Sequence, residues 1–221
     1  MGETTTYLAQ GIYGIVEAAR LLHRPAAQVR RWANGYSYVR TYDRAKRPPV
    51  LQTGRSDKDA LSFRELIELF FVREYTAVGI SLLHVRETAK ALAKEYGDHP
   101  FAAKKLLTDG KRLIAISDYG IIAPATCQLI AEYAYELIRE FEFADDFVNL
   151  WRPKEGDNLI VVDPRRAFGE PILAETGTPT RILLRAYQVE QDFDRVADYY
   201  DLTVELVKRA IEFERRFADA A

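Results

Sequence analysis

The chain has 221 residues, 48% of them apolar and 29% charged, with a formal net charge of −2, a balance typical of soluble globular proteins and sufficient for one large core or two modest ones. No stretch approaches the ~20 successive apolar residues that a bilayer span needs, the first ten residues lack a basic region followed by an apolar one, and the single cysteine, Cys127, has no partner for an internal disulfide. These features argue against a membrane or secreted protein and for a cytoplasmic one.

The near-neutral total hides a strong asymmetry. Between Arg20 and Arg55 there are nine Lys/Arg and one acid, Asp43, so this stretch carries +8 and the remainder −10. A cationic patch on an otherwise acidic molecule concentrates positive potential on one surface, as a nucleic-acid binder requires, although a solvated basic face would read the same way.

In chain order, Ile15 to Leu22 has the apolar spacing of a short helix, with Ile15, Ala18, Ala19 and Leu22 on one face. His23-Arg24-Pro25 breaks it, and Pro25 is placed to open a second helix that runs to Asn34, before Gly35. Val29, Trp32 and Ala33 form the expected inward stripe, with Trp32 as core anchor rather than base-stacking residue. Ser37 to Thr41 alternates as a strand would, Asp43 to Arg47 reads as a basic turn, and Pro48 to Thr53 as a returning edge strand. Together these suggest a wing; a flexible basic linker is the alternative.

Ser62 and Glu65 carry the capping-box spacing ahead of a helix with Phe63, Leu66, Ile67 and Phe70 inward, ended by Gly79. Ser81 caps another, with Leu82, Val85, Ala89 and Leu92 inward, and a break follows at Gly97 to Pro100. A strand over Arg112 to Ile116 and a helix over Ala125 to Arg139 are expected next. Glu132 to Asp157 is acidic, with a net charge of −5. Trp151-Arg152-Pro153 and Gly156 lead by a loop into a strand at Leu159 to Val162. Asp163-Pro164 and Phe168-Gly169-Glu170-Pro171 are turn chemistry, and helices follow at Arg181 to Gln188, Phe193 to Tyr200 and Thr203 to Phe217.

The pair of helices from Tyr13 to Gly35 is the functional candidate. Two short helices across a tight turn are a common packing unit, and a hairpin in any core would share the apolar spacing. The outer face of the second helix makes the difference. Long donors suit guanine edges and amides suit adenine, which assigns Gln28, Arg31 and Asn34 to base edges. Arg30, angled toward the groove wall, and Arg24, at the turn, are assigned to phosphates that fix register.

Tyr13 to Leu92 resembles the MerR-type winged helix-turn-helix in its EAARLL helix, its Arg-Arg-Trp ending of the reading helix, and the later segment SFRELIELFFVREYTAVGISLLHVRETAKAL. The resemblance implies that wing residues grip the phosphate backbone, here Arg40, Arg44, Lys46 and Arg47. It does not extend to a metal-sensing cysteine cluster. Leu159 to Phe213, with VDPRRAFGEPIL, TPTRILL and VADYYDLTVELVKRAIEFE, is similar to a small domain of VapB-like antitoxins. That similarity implies a PIN-domain ribonuclease toxin as partner, operator binding and repression of the shared operon.

The expected fold is therefore mainly α with small β elements (α+β). It comprises a winged helix-turn-helix domain over residues 1–107 and a C-terminal dimerisation or partner-binding domain over residues 108–221, with short strands and a second helix-turn-helix-like unit. In that unit Val196, Ala197 and Tyr200 face Val204, Val207, Ala210 and Ile211 across the Asp201-Leu202 turn. From Glu190 to Ala221 nine acids oppose five basic residues, so the unit suits homodimerisation better than a phosphate backbone.

Enzymatic signals are weak. His23, His84 and His99 are scattered, no metal-ligand spacing is present, and neither a phosphate-cradling glycine loop nor a Gly-x-Ser-x-Gly elbow occurs. Glu140, Glu142, Asp145 and Asp146 are better read as a solvated or docking face than as metal ligands for nuclease chemistry. The expectation is a non-enzymatic, cofactor-free, metal-free partner of double-stranded DNA, acting as a homodimer away from membranes. Either it is an antitoxin, or it is a stand-alone MerR-like transcriptional regulator whose C-terminal domain dimerises or senses a ligand.

Overall fold

The computed structural model describes residues 11–40, 43–54, 57–103, 137–154 and 157–218. The expected strand at 112–116, most of the expected helix at 125–139, Cys127 and the expected domain boundary at 107/108 lie outside these residues. What is described mixes helix and strand, an α+β arrangement.

Strand β1 (Gly11–Gly14) leads directly into helix α1 (Ile15–Leu21). A turn connects it to α2 (Ala26–Asn34), which buries Val29, Trp32 and Ala33. Pro25 is the residue before this helix rather than its first member, with φ −56° and ψ 136°; its carbonyl accepts from Gln28 N and Val29 N at 2.8 and 3.2 Å. Strands β2 (Tyr36–Arg40) and β3 (Asp43–Arg47) then pair antiparallel, Tyr36 opposite Arg47 and Arg40 opposite Asp43. Asp43 to Arg47 is thus the returning strand and not the turn, and Pro48 to Thr53 is irregular. The physical reason lies in the two prolines, Pro48 and Pro49, which have no N–H to offer a ladder.

Strand β4 (Ala60–Ser62) pairs with β1. Helix α3 (Phe63–Ala77) begins at the expected capping box, Glu65 N donating to Ser62 Oγ at 3.2 Å and Ser62 N to Glu65 Oε2 at 2.7 Å. Helix α4 (Leu82–Tyr96) is capped by Ser81, whose Oγ accepts from His84 N. A 3₁₀ turn at Pro100–Ala102 packs against α3.

The second half of the chain supplies an antiparallel sheet of β5 (Phe141–Ala144), β6 (Phe147–Trp151), β7 (Ile160–Val162) and β8 (Pro171–Leu173), in that order. Three helices follow: α5 (Thr180–Glu190), α6 (Phe193–Tyr200) and α7 (Val204–Ala218). Aromatic rings join the sheet to α3. Phe70 meets Phe141 of β5 at 5.2 Å and Trp151 of β6 at 5.3 Å, both edge-on, the arrangement that aromatic quadrupoles favour. A single buried cluster runs from Tyr13 through these rings to Phe213. At Gly169, φ is +77° and an added Cβ would collide with the Tyr13 ring, so glycine lets the turn after β7 lie directly on β1.

Candidate nucleic-acid interface

The turn between α1 and α2 is tightly specified. His23 N donates to Arg20 O at 3.1 Å and Arg24 N to Ala19 O at 3.0 Å, with His23 at φ +48°; these are the paired bonds of a Schellman closure, with histidine where glycine is usual. The closure sets the angle at which α2 leaves. The buried Trp32 fixes its roll, and Trp32 O accepts from Val50 N at 2.8 Å. Gly35 then turns the chain into β2 at φ +70° and ψ −174°, and a Cβ there would overlap the Arg47 carbonyl oxygen and crowd Pro48 and Pro49. Only glycine lets helix and ribbon approach this closely.

The candidate residues differ in what holds them. Arg31 is exposed, with its guanidinium 5.7 Å from the Tyr36 ring centre. Gln28, one turn earlier on the same side, is half-buried. Arg30 is exposed and paired to Asp59 at 3.3 Å. Asn34 donates through Nδ2 to Lys58 O at 2.8 Å, which ties the end of α2 to the approach of β4 and leaves one N–H and the amide oxygen. Arg24 is half-buried at the turn, and its Nε has no hydrogen-bond partner among the described residues. Lys46 and Arg47 are exposed on β3, Arg47 lying 5.6 Å from the Tyr38 ring centre. The backbones of Arg40 and Arg44 belong to the ribbon; their side chains lie outside the described part.

The structure therefore brings Arg31 and the β3 cations to adjoining elements, and among the described residues none of Arg31, Lys46 and Arg47 pairs with a carboxylate. Sequence reasoning missed five contributors. Asp59 and Lys58 come from a loop with no motif. Arg86 of α4, itself buried, donates from Nε to Pro48 O at 2.9 Å and so braces the base of the ribbon. Tyr36 and Tyr38 could have been found by their alternation, had β3 been recognised as a strand facing them.

The C-terminal helices present a different surface. Asp201 at φ +53° turns α6 into α7. Two exposed cations of α7 are matched by acids, Arg209 with Glu205 at 3.0 Å and Asp157 at 3.5 Å and Arg216 with Glu212 at 2.7 Å, while Lys208 and Arg215 lie 5.5 and 5.7 Å from the Phe193 and Tyr187 rings. Of the four acids singled out around the β5–β6 hairpin, Asp145 and Asp146 lie exposed at its turn and the other two are engaged. Glu140 accepts from the Trp151 indole at 3.2 Å and Glu142 pairs with Arg152 at 2.6 Å. Among the described residues no group of three or more His, Cys, Asp or Glu is placed to hold a metal ion, and no helix there is long and apolar enough to cross a membrane.

A family model described as a protein of unknown function, DUF433, matches residues 160–213, the stretch from β7 into α7. Over 91% of its length the chain is 26% identical to a protein of Mycobacterium tuberculosis (strain H37Rv) named "Putative antitoxin VapB45", covering 92% of that protein. Its fold is similar to the crystal structure of Rv2018 from Mycobacterium tuberculosis, with a TM-score of 0.73 and 22% identity over 92% of this chain and 99% of the other.

Proposed function

We propose that this chain is a cytoplasmic, non-enzymatic antitoxin of a toxin–antitoxin pair that binds operator DNA as a homodimer, represses its own operon and neutralises a PIN-type ribonuclease. The observation that carries the DNA half is positive charge with no carboxylate partner among the described residues: Arg31 on α2, Arg47 on the same side of the ribbon as Tyr36 and Tyr38, and Lys46 on its other side. A helix followed by an antiparallel ribbon is the outline of a winged helix-turn-helix, in which one element enters the major groove and the other lies along the backbone. Cations left without carboxylate partners keep their charge available to release counterions from phosphates. The excess of acids over bases from Glu190 to Ala221, with Arg209 and Arg216 already paired to carboxylates, favours protein contact over a phosphate backbone and supports homodimerisation there. The antitoxin half is supported by the name of the mycobacterial relative.

Fluorescence anisotropy with duplexes tiled across the DNA upstream of the coding sequence tests the DNA half. Arg31→Ala should weaken the best duplex about 5- to 100-fold relative to random DNA, as expected for loss of one base-reading pair. Lys46→Ala and Arg47→Ala should weaken both duplexes alike and each lower the salt slope by about one ion. Salt-insensitive or absent binding by the unaltered protein would exclude the DNA role. Co-expression with a PIN-type ribonuclease encoded beside the gene tests the other half, which fails if toxicity persists in full.

A further inference from the structure

We infer that Tyr36 and Tyr38 are positioning residues that aim Arg31 and Arg47 at nucleic acid without neutralising them; this rests on the DNA-binding reading above. The four side chains, three of them exposed and Tyr38 half-buried, form one ladder from α2 onto β3: Arg31 over Tyr36 at 5.7 Å, Tyr36 beside Tyr38 at 6.0 Å, and Arg47 over Tyr38 at 5.6 Å. The register explains the last contact. Tyr38 faces Ala45, a side chain too small to cover the ring, so Arg47 reaches it along the diagonal. Tyr36 is 39% exposed and Tyr38 half-buried, so neither ring is sunk in the core.

The neighbouring Arg30 shows the alternative way of holding an arginine. It is tied to Asp59, and that carboxylate cancels its charge toward a distant phosphate. An aromatic face attracts a guanidinium through its quadrupole and carries no net charge. An arginine held in this way keeps its full charge and can keep N–H groups directed outward, while its swing is limited. Gly35 and the Arg86 brace on Pro48 O fix the ribbon against α2, so both arginines are held in one frame. Ordering a long side chain beforehand removes part of the cost of binding.

The test uses the full-length protein and Tyr36→Leu, Tyr36→Phe, Tyr38→Leu and Tyr38→Phe. In guanidinium Nε–Hε spectra without DNA, the ring-shifted Arg31 resonance should be lost in Tyr36→Leu and kept in Tyr36→Phe, and that of Arg47 likewise for Tyr38. Binding is then measured by anisotropy with the best upstream duplex, a random duplex and the matching single strand. Each Leu variant should bind about two- to fivefold more weakly, the worth of an exposed cation–π contact, with each Phe variant restored. Tyr36→Leu should also narrow the preference for the upstream duplex, whereas Tyr38→Leu should weaken both duplexes alike. Unchanged spectra or unchanged affinity in the Leu variants overturns the inference, as does a Phe variant as poor as its Leu counterpart. Tighter binding of the single strand also overturns it, by making the tyrosines a stacking platform for unpaired bases. If the unaltered protein shows the ring shifts yet binds no duplex, the DNA reading falls and the aiming role falls with it; if it binds duplex and the Leu variants do too, only the aiming role falls.

Discussion

Gly35 is the residue on which the geometry of the candidate interface turns. Its combination of φ +70° and ψ −174° belongs to a region essentially reserved for glycine, and its missing side chain leaves room for the Arg47 carbonyl. Gly35→Ala should cost about 2–4 kcal/mol in urea denaturation, from strain plus displacement of backbone. Gly54, with open space around it and no positive φ, is the control: Gly54→Ala should stay within about 0.5 kcal/mol. Equal effects at the two positions would mean that the ribbon is not pinned where it appears. The sequence marks Gly35 as a helix stop, which it is, but its contact with Arg47 depends on a strand twelve residues later. Other left-handed positions gave no warning at all. Ala167 and Phe168 adopt φ +46° and +54°, and nothing in an alanine or a phenylalanine announces that.

At the scale of elements, amphipathic helices with caps were readable, as were the strands at β2 and β7, but several other short strands were not. The capping box at Ser62 and Glu65 and the bounds of α6 follow from local chemistry alone, because the partners lie within four residues. The pairs β1–β4 and β5–β6 went unseen: β1 and β4 are three or four residues long and meet across some fifty residues of chain, while β5–β6 sits in a segment whose acidity masked its alternation of Phe141, Phe143, Val148 and Leu150. Equally hidden was the docking of the 3₁₀ turn on α3. Buried Glu68 accepts from Ala102 N at 2.9 Å. Desolvation, reinforced by Glu65, pushes its carboxyl up to about 8 despite the N–H groups of Ala102 and Phe101. Nearby, burial and then Arg64 pull His99 down to about 4, against Glu65 and Asp98. The folded chain thus binds an extra proton at Glu68 between about pH 4.5 and 8, so stability from this group is full at low pH and declines as pH rises through that window. At His99 the unfolded chain binds the extra proton between about pH 4 and 6.5, so stability falls as pH is lowered there. The two slopes oppose each other up to about pH 6.5, above which only Glu68 of the two contributes. The Glu17 carboxyl, which burial also raises, acts in the same direction as Glu68. Urea denaturation at pH 6.5, 7.25 and 8 should show a loss of up to about 1.4 kcal/mol per pH unit, and Glu68→Gln should flatten it. A decline of the same size in the variant would place its origin elsewhere.

At the scale of the whole molecule, the N-terminal helices and the C-terminal ones are joined by a buried polar link. Glu214 of α7, 3% exposed, accepts from Arg20 of α1 at 2.6 Å and from the Thr180 hydroxyl at the start of α5 at 2.6 Å. The first partners are 194 residues apart in sequence, and no spacing rule could have matched them; each reads locally as an ordinary surface charge on an amphipathic helix. A carboxylate removed from water is stabilising only while its donors remain in place, and deleting it removes the charge paired with Arg20 and leaves the Thr180 hydroxyl to the Pro171 carbonyl at 3.2 Å. Arg20 keeps partial access to solvent, which lets it rehydrate in part, so Glu214→Ala should cost about 2–3 kcal/mol rather than the full penalty of a deeply buried pair. Arg20→Ala should cost less, because Glu214 retains Thr180. If the link is direct, the double variant should lose at least about 1 kcal/mol less than the two single losses combined. Because one buried cluster runs through both halves, all three variants should unfold in a single transition at a lower urea midpoint. Additive losses would show that the pair contributes nothing as a pair. Two separate transitions would show that α1, on which α2 packs, does not depend on the C-terminal helices for its place.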